Sequence, residues 1–215
     1  MIKLLSHDGS DNSIANTARV SFAGTDWLNL PKGYSTEQRD RLITYLAKHK
    51  HLTPFRHNSL TIRCKMPIFI ARQLGKHQAG LSWNEVSRRY VIGDFEFFSG
   101  EWRYKPAGSI KQGSAGAHPY QSHIQYMHDE NVKFALRTYN KMIKAGVAPE
   151  QARGELPQSM FTEWVWTGNI LAFAHVYKER IASGAQVEAQ EFAKELDKVI
   201  RPQFPVAWSA LVGER

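Results

Sequence analysis

The feature that most limits the fold is a change of apolar period inside one short segment, SLTIRCKMPIFIARQ. From Leu60 to Met66 the residues Leu60, Ile62, Cys64 and Met66 alternate with polar ones, the period of a half-buried strand. At Pro67 the period lengthens, and Ile68, Phe69, Ile70 and Leu74 fall on one helical face. Proline suits the first position of a helix, where its missing N–H would have no intrahelical partner anyway. The helix carries Arg72, Gln73 and Lys76 near its end, so a cationic cluster begins on a rigid element.

That cluster is ARQLGKHQAGLSWNEVSRRY, Ala71 to Tyr90, in which Arg72, Lys76, His77, Arg88 and Arg89 accompany Glu85, Ser82 and Ser87. Such a density of phosphate-seeking groups after an apolar run points to a polyanion, and NEVSRRY suits a nucleotide monophosphate and its sugar or base. The phosphate-binding loops GxxxxGK[ST] and GxGxxG are absent, so side chains must hold any phosphate. Arg153 and Arg180 are two further arginines outside ordinary helix faces. No GxSxG elbow supports a serine hydrolase.

The net charge of +8 favours anionic partners. No Lys/Arg-rich block, zinc-finger spacing or aromatic RNA-binding motif accompanies it, which favours small phosphorylated or carboxylated molecules over nucleic acid. With 42% hydrophobic residues in 215, the chain can bury one generous core. No apolar run approaches the roughly 18 residues of a membrane span. The opening MIKLLSHDGSDN turns polar too early for a secretory signal, and a cytoplasmic location is expected. Cys64 is the only cysteine, which excludes an intramolecular disulfide and a thiolate metal cluster. Its place on the apolar face of a strand predicts burial and no nucleophilic role. His51 and His57 lack a neighbouring carboxylate or cysteine at ligand spacing, and His118, His123 and His128 scatter around a helix, so no metal is expected.

Along the chain, IKLLS reads as a strand, followed by a polar stretch, TARVSF, and a loop marked by Gly24, Asn29, Pro31 and Gly33. Ser35 with Gln38 forms a capping box for a helix from Thr36 to about Lys50. HLTPFRH and the segment from Gln78 to Val86 read as loops, DFEFF as a strand, and the stretch with Gly100, Gly108, Gly113 and Gly116 as a surface loop. Helices are predicted from Pro119 to Lys144, opening at Pro149, from Ser159 to Lys178 and from Gln186 to Ile200. Strands early and helices late give an α+β fold, a single domain over 1–215 with a mixed or antiparallel sheet flanked by helices and a helix-rich C-terminal half.

The blocks TARVSF, HLTPFRH, PIFIARQ, NEVSRRY, FEF, GVAPEQAR with LP, FTEWVWTGN and ERIASGAQVEAQ occur in an order that resembles the flavin-dependent thymidylate synthases, over about Ala18 to Gln190. The family signature is Arg-His-Arg and, after seven residues, Ser. This chain has Lys76, His77, Gln78 and then eight residues, AGLSWNEV, before Ser87. Lysine keeps the charge but loses the planar fork, and Gln78 loses the charge. The resemblance implies that Gln73, Lys76, Glu85, Val86, Ser87, Arg88, Arg89, Arg153 and Arg180 bind dUMP, with Ser87, Arg89 and Arg153 nearest its phosphate. It makes Arg180 the catalytic, activating arginine.

For FAD, the positions similar to the family's contacts are His51, Thr53, Lys76, His77, Gln78, Glu85, Asn169 and His175. Arg56, Leu171, His175 and Gly184 stand where the family commonly has glutamate, arginine, asparagine and histidine, so the departures cluster on the cofactor side. The implied reaction is reductive methylation of dUMP to dTMP at C5, with methylenetetrahydrofolate as carbon donor and NADPH-reduced FAD as hydride carrier. A homotetramer with sites shared between subunits is also implied, with Arg153 serving a neighbour's nucleotide. Two other readings stay open here. One is a pyrimidine nucleotide C5 hydroxymethylase or dCMP methylase, and the other is a non-catalytic basic module that binds nucleotide or nucleic acid.

Overall fold

The computed structural model of the chain describes residues 1–22, 35–107 and 113–213. At its centre is an antiparallel sheet of strands β1 (Ile2–Asp8), β2 (Ser59–Pro67), β3 (Leu81–Glu85) and β4 (Phe161–Gly168), in the order β1-β2-β4-β3. The alternation seen from Leu60 onward sets the register. Cys64 lies opposite Trp164 and Ile62 opposite Trp166, so the apolar sets of the two central strands share one face. Trp83 of β3 pairs with Trp166 and stacks on Trp164 with ring centroids 4.1 Å apart. Aromatic pairs of this kind add roughly 0.5–1.5 kcal/mol beyond the area they bury.

The buried face is covered by α1 (Asp11–Arg19), α2 (Thr36–Lys48), α6 (Ile170–Ile181), α7 (Val187–Ile200) and α8 (Pro205–Val212). A smaller cluster under α4 (Gln121–Lys144) and α5 (Pro149–Ala152) is built on Tyr139, Ala152, Leu156 and Met160. The α+β architecture with a helix-rich second half is therefore as expected, and so is α3 (Ile68–Leu74), which follows β2 directly with Pro67 as its N-cap. The Ser35–Gln38 capping box is present, with Gln38 N–H donating to Ser35 Oγ at 3.3 Å. Gly146 adopts φ +85 just past α4, a left-handed turn that glycine makes at little steric cost.

Four local expectations are corrected. Ser159 to Lys178 is not one helix, because FTEWVWTG alternates aromatic and polar residues and fills the sheet position between β2 and β3 before α6 begins after Asn169. The segment from Gln78 to Val86 contains β3 rather than only a loop, since Leu81 to Glu85 completes the sheet edge against β4. DFEFF is not a strand, and Phe97 makes only an isolated bridge to Met160. The polar stretch before TARVSF is α1, started by a capping box between Ser10 and Ser13. The loop assigned to Gly24, Asn29, Pro31 and Gly33, and Gly108, lie outside the described residues.

The sequence reading gave no account of α8. Its first turn is held by buried Asp11, whose two carboxylate oxygens accept the N–H groups of Val206 and Ala207 at 2.9 Å each. Carboxylates are favourable at a helix N-terminus, where free N–H groups and the helix dipole both meet a negative charge. The contact ties residue 11 to the end of the chain and closes the helical layer over the sheet. Cys64 is 1% exposed, as expected, and burial pushes its thiol pKa far up.

Candidate active site

The end of α3 and the sheet edge β3 enclose a cavity of about 550 Å³. Buried Ile70 and Leu74 anchor α3, and Leu74 C=O accepts the His77 N–H at 3.0 Å, so the chain turns and presents Lys76, His77 and Gln78 to the cavity. Arg72, one turn earlier, lines the same space, with Leu81, Trp83 and Glu85 on the opposite wall. Arg72 and Lys76 form no ion pair among the described residues.

Arg180, in the last turn of α6, reaches this region from below. Its Nε donates to His77 Nε2 at 2.9 Å and its Nη2 to Gln73 C=O at 3.2 Å. The Gln73 side chain in turn donates to Gln186 Oε1 at 2.6 Å, which ties α3 to the residue that precedes α7. Burial pushes the His77 pKa below its ordinary 6.5, the Arg180 charge pushes it further, and His175 adds a little while Glu179 opposes. His77 is thus held neutral, with Nε2 free of a proton to accept from Arg180. The result is one fixed cation beside a neutral ring, a rigid arrangement that can stabilise negative charge on a bound base.

Glu85 is fixed from two sides. Buried Thr162 Oγ1 donates to Glu85 Oε1 at 2.7 Å, and Trp83 Nε1 donates to Oε2 at 3.2 Å. A carboxylate oxygen can accept more than one bond, so Glu85 keeps acceptor capacity toward the cavity.

Other expected site residues lie elsewhere. Val86 N–H is bonded to Glu163 C=O at 2.9 Å, which carries the chain away from the cavity. Arg88 donates to Gly93 C=O at 2.9 Å, lies 4.9 Å over the Phe95 ring, and lines a second cleft of about 270 Å³ with Arg63, Lys65, Glu96 and Glu163. Ser87 Oγ accepts from Arg89 Nε at 3.3 Å, and exposed Arg89 lies 5.0 Å over Tyr90. Arg153 opens a short 3-10 turn after α5, donates to Glu150 C=O at 3.3 Å, and lines none of these spaces.

On the far side of Gln78–Leu81, Asn169 and His175 line a third cavity of about 270 Å³ together with Arg56. His51 and Thr53 are exposed at the start of the 3-10 turn Thr53–Arg56. The dense cationic run therefore divides. Arg72, Lys76, His77, Gln78 and Glu85 come together with Gln73 and Arg180, whereas Arg88, Arg89 and Arg153 do not join them in one chain.

Sequence reasoning missed Trp83, Thr162 and Gln186. Trp83 and Thr162 take their places from the pairing of β3 with β4, which local pattern in LSWNE and FTEW does not announce. Gln186 carried no local signal, because its partner Gln73 is more than a hundred positions away.

The chain matches the family described as thymidylate synthase complementing protein over residues 3–206. It is 33% identical to the flavin-dependent thymidylate synthase of Thermus thermophilus, over 97% of this chain and 74% of that one. A relative of the same name from Kosmotoga olearia is also 33% identical, over 99% of this chain and 90% of the other. Among solved structures, a UMP/dUMP methylase, PolB, from Streptomyces cacaoi bound with 5-Br dUMP superposes with a TM-score of 0.85 at 27% identity, covering 98% of this chain and 93% of that one. The ordered blocks, the fold and these matches agree: the chain belongs to the flavin-dependent thymidylate synthase family.

Proposed function

We propose that the protein is a thymidylate synthase that methylates dUMP at C5 to give dTMP. The carbon comes from methylenetetrahydrofolate and the reducing equivalents from NADPH through FAD. The observation that carries this reading is the cavity lined by Arg72, Lys76, His77, Gln78 and Glu85, whose His77 is hydrogen-bonded to Arg180, itself also held by Gln73 C=O. Family membership supports dUMP and FAD, and the named relatives favour methylation over a hydroxymethyl product or a dCMP acceptor.

The residues fit a flavin. The large cavity combines apolar walls from Ile68, Leu81 and Trp83 with donors and one fixed carboxylate, the usual make-up of a cofactor pocket. His77, Gln78, Lys76 and Glu85 would hold it on that side, with Asn169, His175, His51 and Thr53 beyond the Gln78–Leu81 turn. When bound, FAD supplies hydride chemistry that no side chain can provide.

The chain's own residues bind and polarise the nucleotide. Arg180 would stabilise negative charge on the pyrimidine as N3 ionises, and it is held for this by two hydrogen bonds made before substrate arrives. Gln73 fixes Arg180 through its carbonyl and is itself fixed by Gln186. Lys76 would attract the anionic nucleotide, with Val86, Ser87, Arg88 and Arg89 on the following segment and Arg153 completing the phosphate contacts. Cys64, buried and held as a thiol, cannot serve as a nucleophile, which agrees with a route that forms no enzyme adduct.

The separation of Arg153 from the cavity, and the exposed Tyr126, Met127 and Phe134 along α4, support a homotetramer in which Arg153 of one subunit serves another's nucleotide. With this reading go a single domain over residues 1–215 and a cytoplasmic location. No helix among the described residues is long and apolar enough to cross a membrane. The test is to incubate purified protein with dUMP, methylenetetrahydrofolate and NADPH, and to identify the product by mass. A product heavier than dUMP by one methyl replacing hydrogen is expected. No C5-modified nucleotide from dUMP, UMP or dCMP would overturn the reading.

A further inference from the structure

After Gly100 the chain folds back on itself as a short ribbon, with Arg103 bridged antiparallel to Ala117. Tyr104 N–H donates to Gly116 C=O at 3.0 Å, Ala115 N–H to Tyr104 C=O at 2.9 Å and His118 N–H to Trp102 C=O at 2.8 Å. Successive side chains of extended backbone point to opposite faces. Trp102 is tied to α4, its backbone N–H donating to Gln121 Oε1 at 2.9 Å and its Nε1 to Gln125 Oε1 at 3.0 Å. Arg103, the next residue, pairs instead with Glu188 in the first turn of α7.

This ion pair is unlike those of the surface. Its side chains are only 15% and 13% exposed, and Glu188 Oε2 is buried without a hydrogen-bond partner among the described residues. Arg103 Nε also donates to Ser114 Oγ at 2.7 Å, so both arms of the ribbon hold the guanidinium. Loss of one partner of such a pair leaves a buried charge uncompensated, which costs far more than loss of an exposed pair.

The start of α7 has no side-chain cap, and its N-cap residue is Gln186. Gln190 Nε2 donates to Ala185 C=O at 2.8 Å, which holds the link 182–186 from the Arg180 helix to α7. Gln186 accepts from Gln73 at 2.6 Å, and Gln73 C=O accepts from Arg180. A hydrogen bond of that length survives a displacement of less than about 1 Å. The large core side chains of α7, Phe192, Leu196 and Ile200, lie further along, so the first turn depends on these polar ties.

We propose that Arg103 is a positioning residue for Arg180: by clamping Glu188 it fixes the start of α7, and with it the Gln186–Gln73 contact that holds the Arg180 guanidinium. The inference rests on the role given to Arg180 in the proposed function.

The test compares Arg103→Gln and Arg103→Lys well below the unfolding temperature of each. In Arg103→Gln kcat should fall about 10-fold or more, as misplacement of a catalytic group does, with the KM for dUMP and the flavin content unchanged. Arg103→Lys should lose less, since lysine keeps the charge without the fork. A second readout is the NMR titration of His77, its imidazole signal identified by its loss in His77→Gln. Burial and then the Arg180 charge hold the His77 pKa down, with a small contribution from His175 and against Glu179. The pKa should rise in Arg180→Ala, and Arg103→Gln should reproduce part of that rise.

A His77 that titrates in Arg103→Gln as in wild type overturns the proposal, whatever the turnover. A raised His77 pKa with unaltered kcat leaves Arg103 its positioning role and overturns the catalytic role of Arg180. Should wild type modify no nucleotide, the proposed function fails by itself and the titration still decides for or against Arg103. If Arg103→Gln does not fold, the double variant with Glu188→Gln, which leaves no buried charge unpaired, is read by the same criteria.

Discussion

Two clefts of the molecule carry similar numbers of cations but differ in what those cations face. In the cleft around Arg88, Arg63 is paired with Glu163 and Lys65 with Glu96, while Arg88 is committed to Gly93 C=O. In the cavity around His77, Arg72 and Lys76 have no ion-pair partner, and Arg180 is held by neutral acceptors that leave its charge intact. Net charge and local cation density would rank the two alike. Arg63 and Lys65 of the first cleft are paired with carboxylates, whereas Arg72 and Lys76 of the second have no ion-pair partner among the described residues, so availability rather than cation count distinguishes the two.

The largest expected effect comes from removing the fixed cation. Arg180→Ala should lower kcat about 10²- to 10³-fold, as loss of a preorganised electrostatic group does, while flavin absorbance of the purified protein persists. Loss of flavin in that variant would show that Arg180 builds the cofactor site as well. Next, Lys76→Ala should raise the KM for dUMP roughly 10-fold or more through loss of a charge-assisted contact. Arg89→Ala should likewise weaken dUMP more than it lowers kcat. The KM for dUMP should rise with added salt in wild type, because the attracting charges are partly exposed and screened.

A smaller effect concerns His77. Its pKa is lowered in the folded state, so the unfolded chain takes up a proton at a higher pH than the folded one. The resulting stability is fully present above the ordinary value of 6.5 and is lost as pH falls from 6.5 through the lowered pKa. Denaturant unfolding at pH 7.5 and 5.5 should show this acid loss in wild type and a smaller one in His77→Gln. The smallest effect belongs to the paired cleft, where Lys65→Ala should change stability by no more than about 1 kcal/mol and leave the KM for dUMP unaltered. A KM change there as large as that for Lys76 would erase the contrast between the clefts.

Much of the fold was legible because its signals are local. The period change at Pro67, the Ser35–Gln38 box and the glycine after α4 each act within one or two turns of chain, and each appears in the structure. The failures share a cause. In FTEWVWTGNILAFAHVYK only Thr167-Gly168-Asn169 stands between an alternating run and a helical run, and a reading that takes these three residues as helix interior merges β4 with α6. The division comes from the neighbours, because β4 must pair on both sides with β2 and β3 while Asn169 caps α6. Likewise LSWNE is too short and too polar to read as a strand alone, and it becomes one because β4 offers it an unpaired edge.

The same division holds for the site. Residue types and their order, Gln73 through Arg89 and later Arg180, identified the family and the anionic ligand class, since charge, hydrogen-bonding capacity and spacing along the chain are properties of sequence. Which of those residues act together was decided by tertiary structure. The sheet order brings residues 73, 77 and 180 within hydrogen-bond distance, places Arg88 in a separate cleft with Glu96 and Glu163, and leaves Arg56 facing a cavity without a carboxylate. Long-range pairing costs chain entropy that only the assembled core can offset, so no local pattern could have announced it.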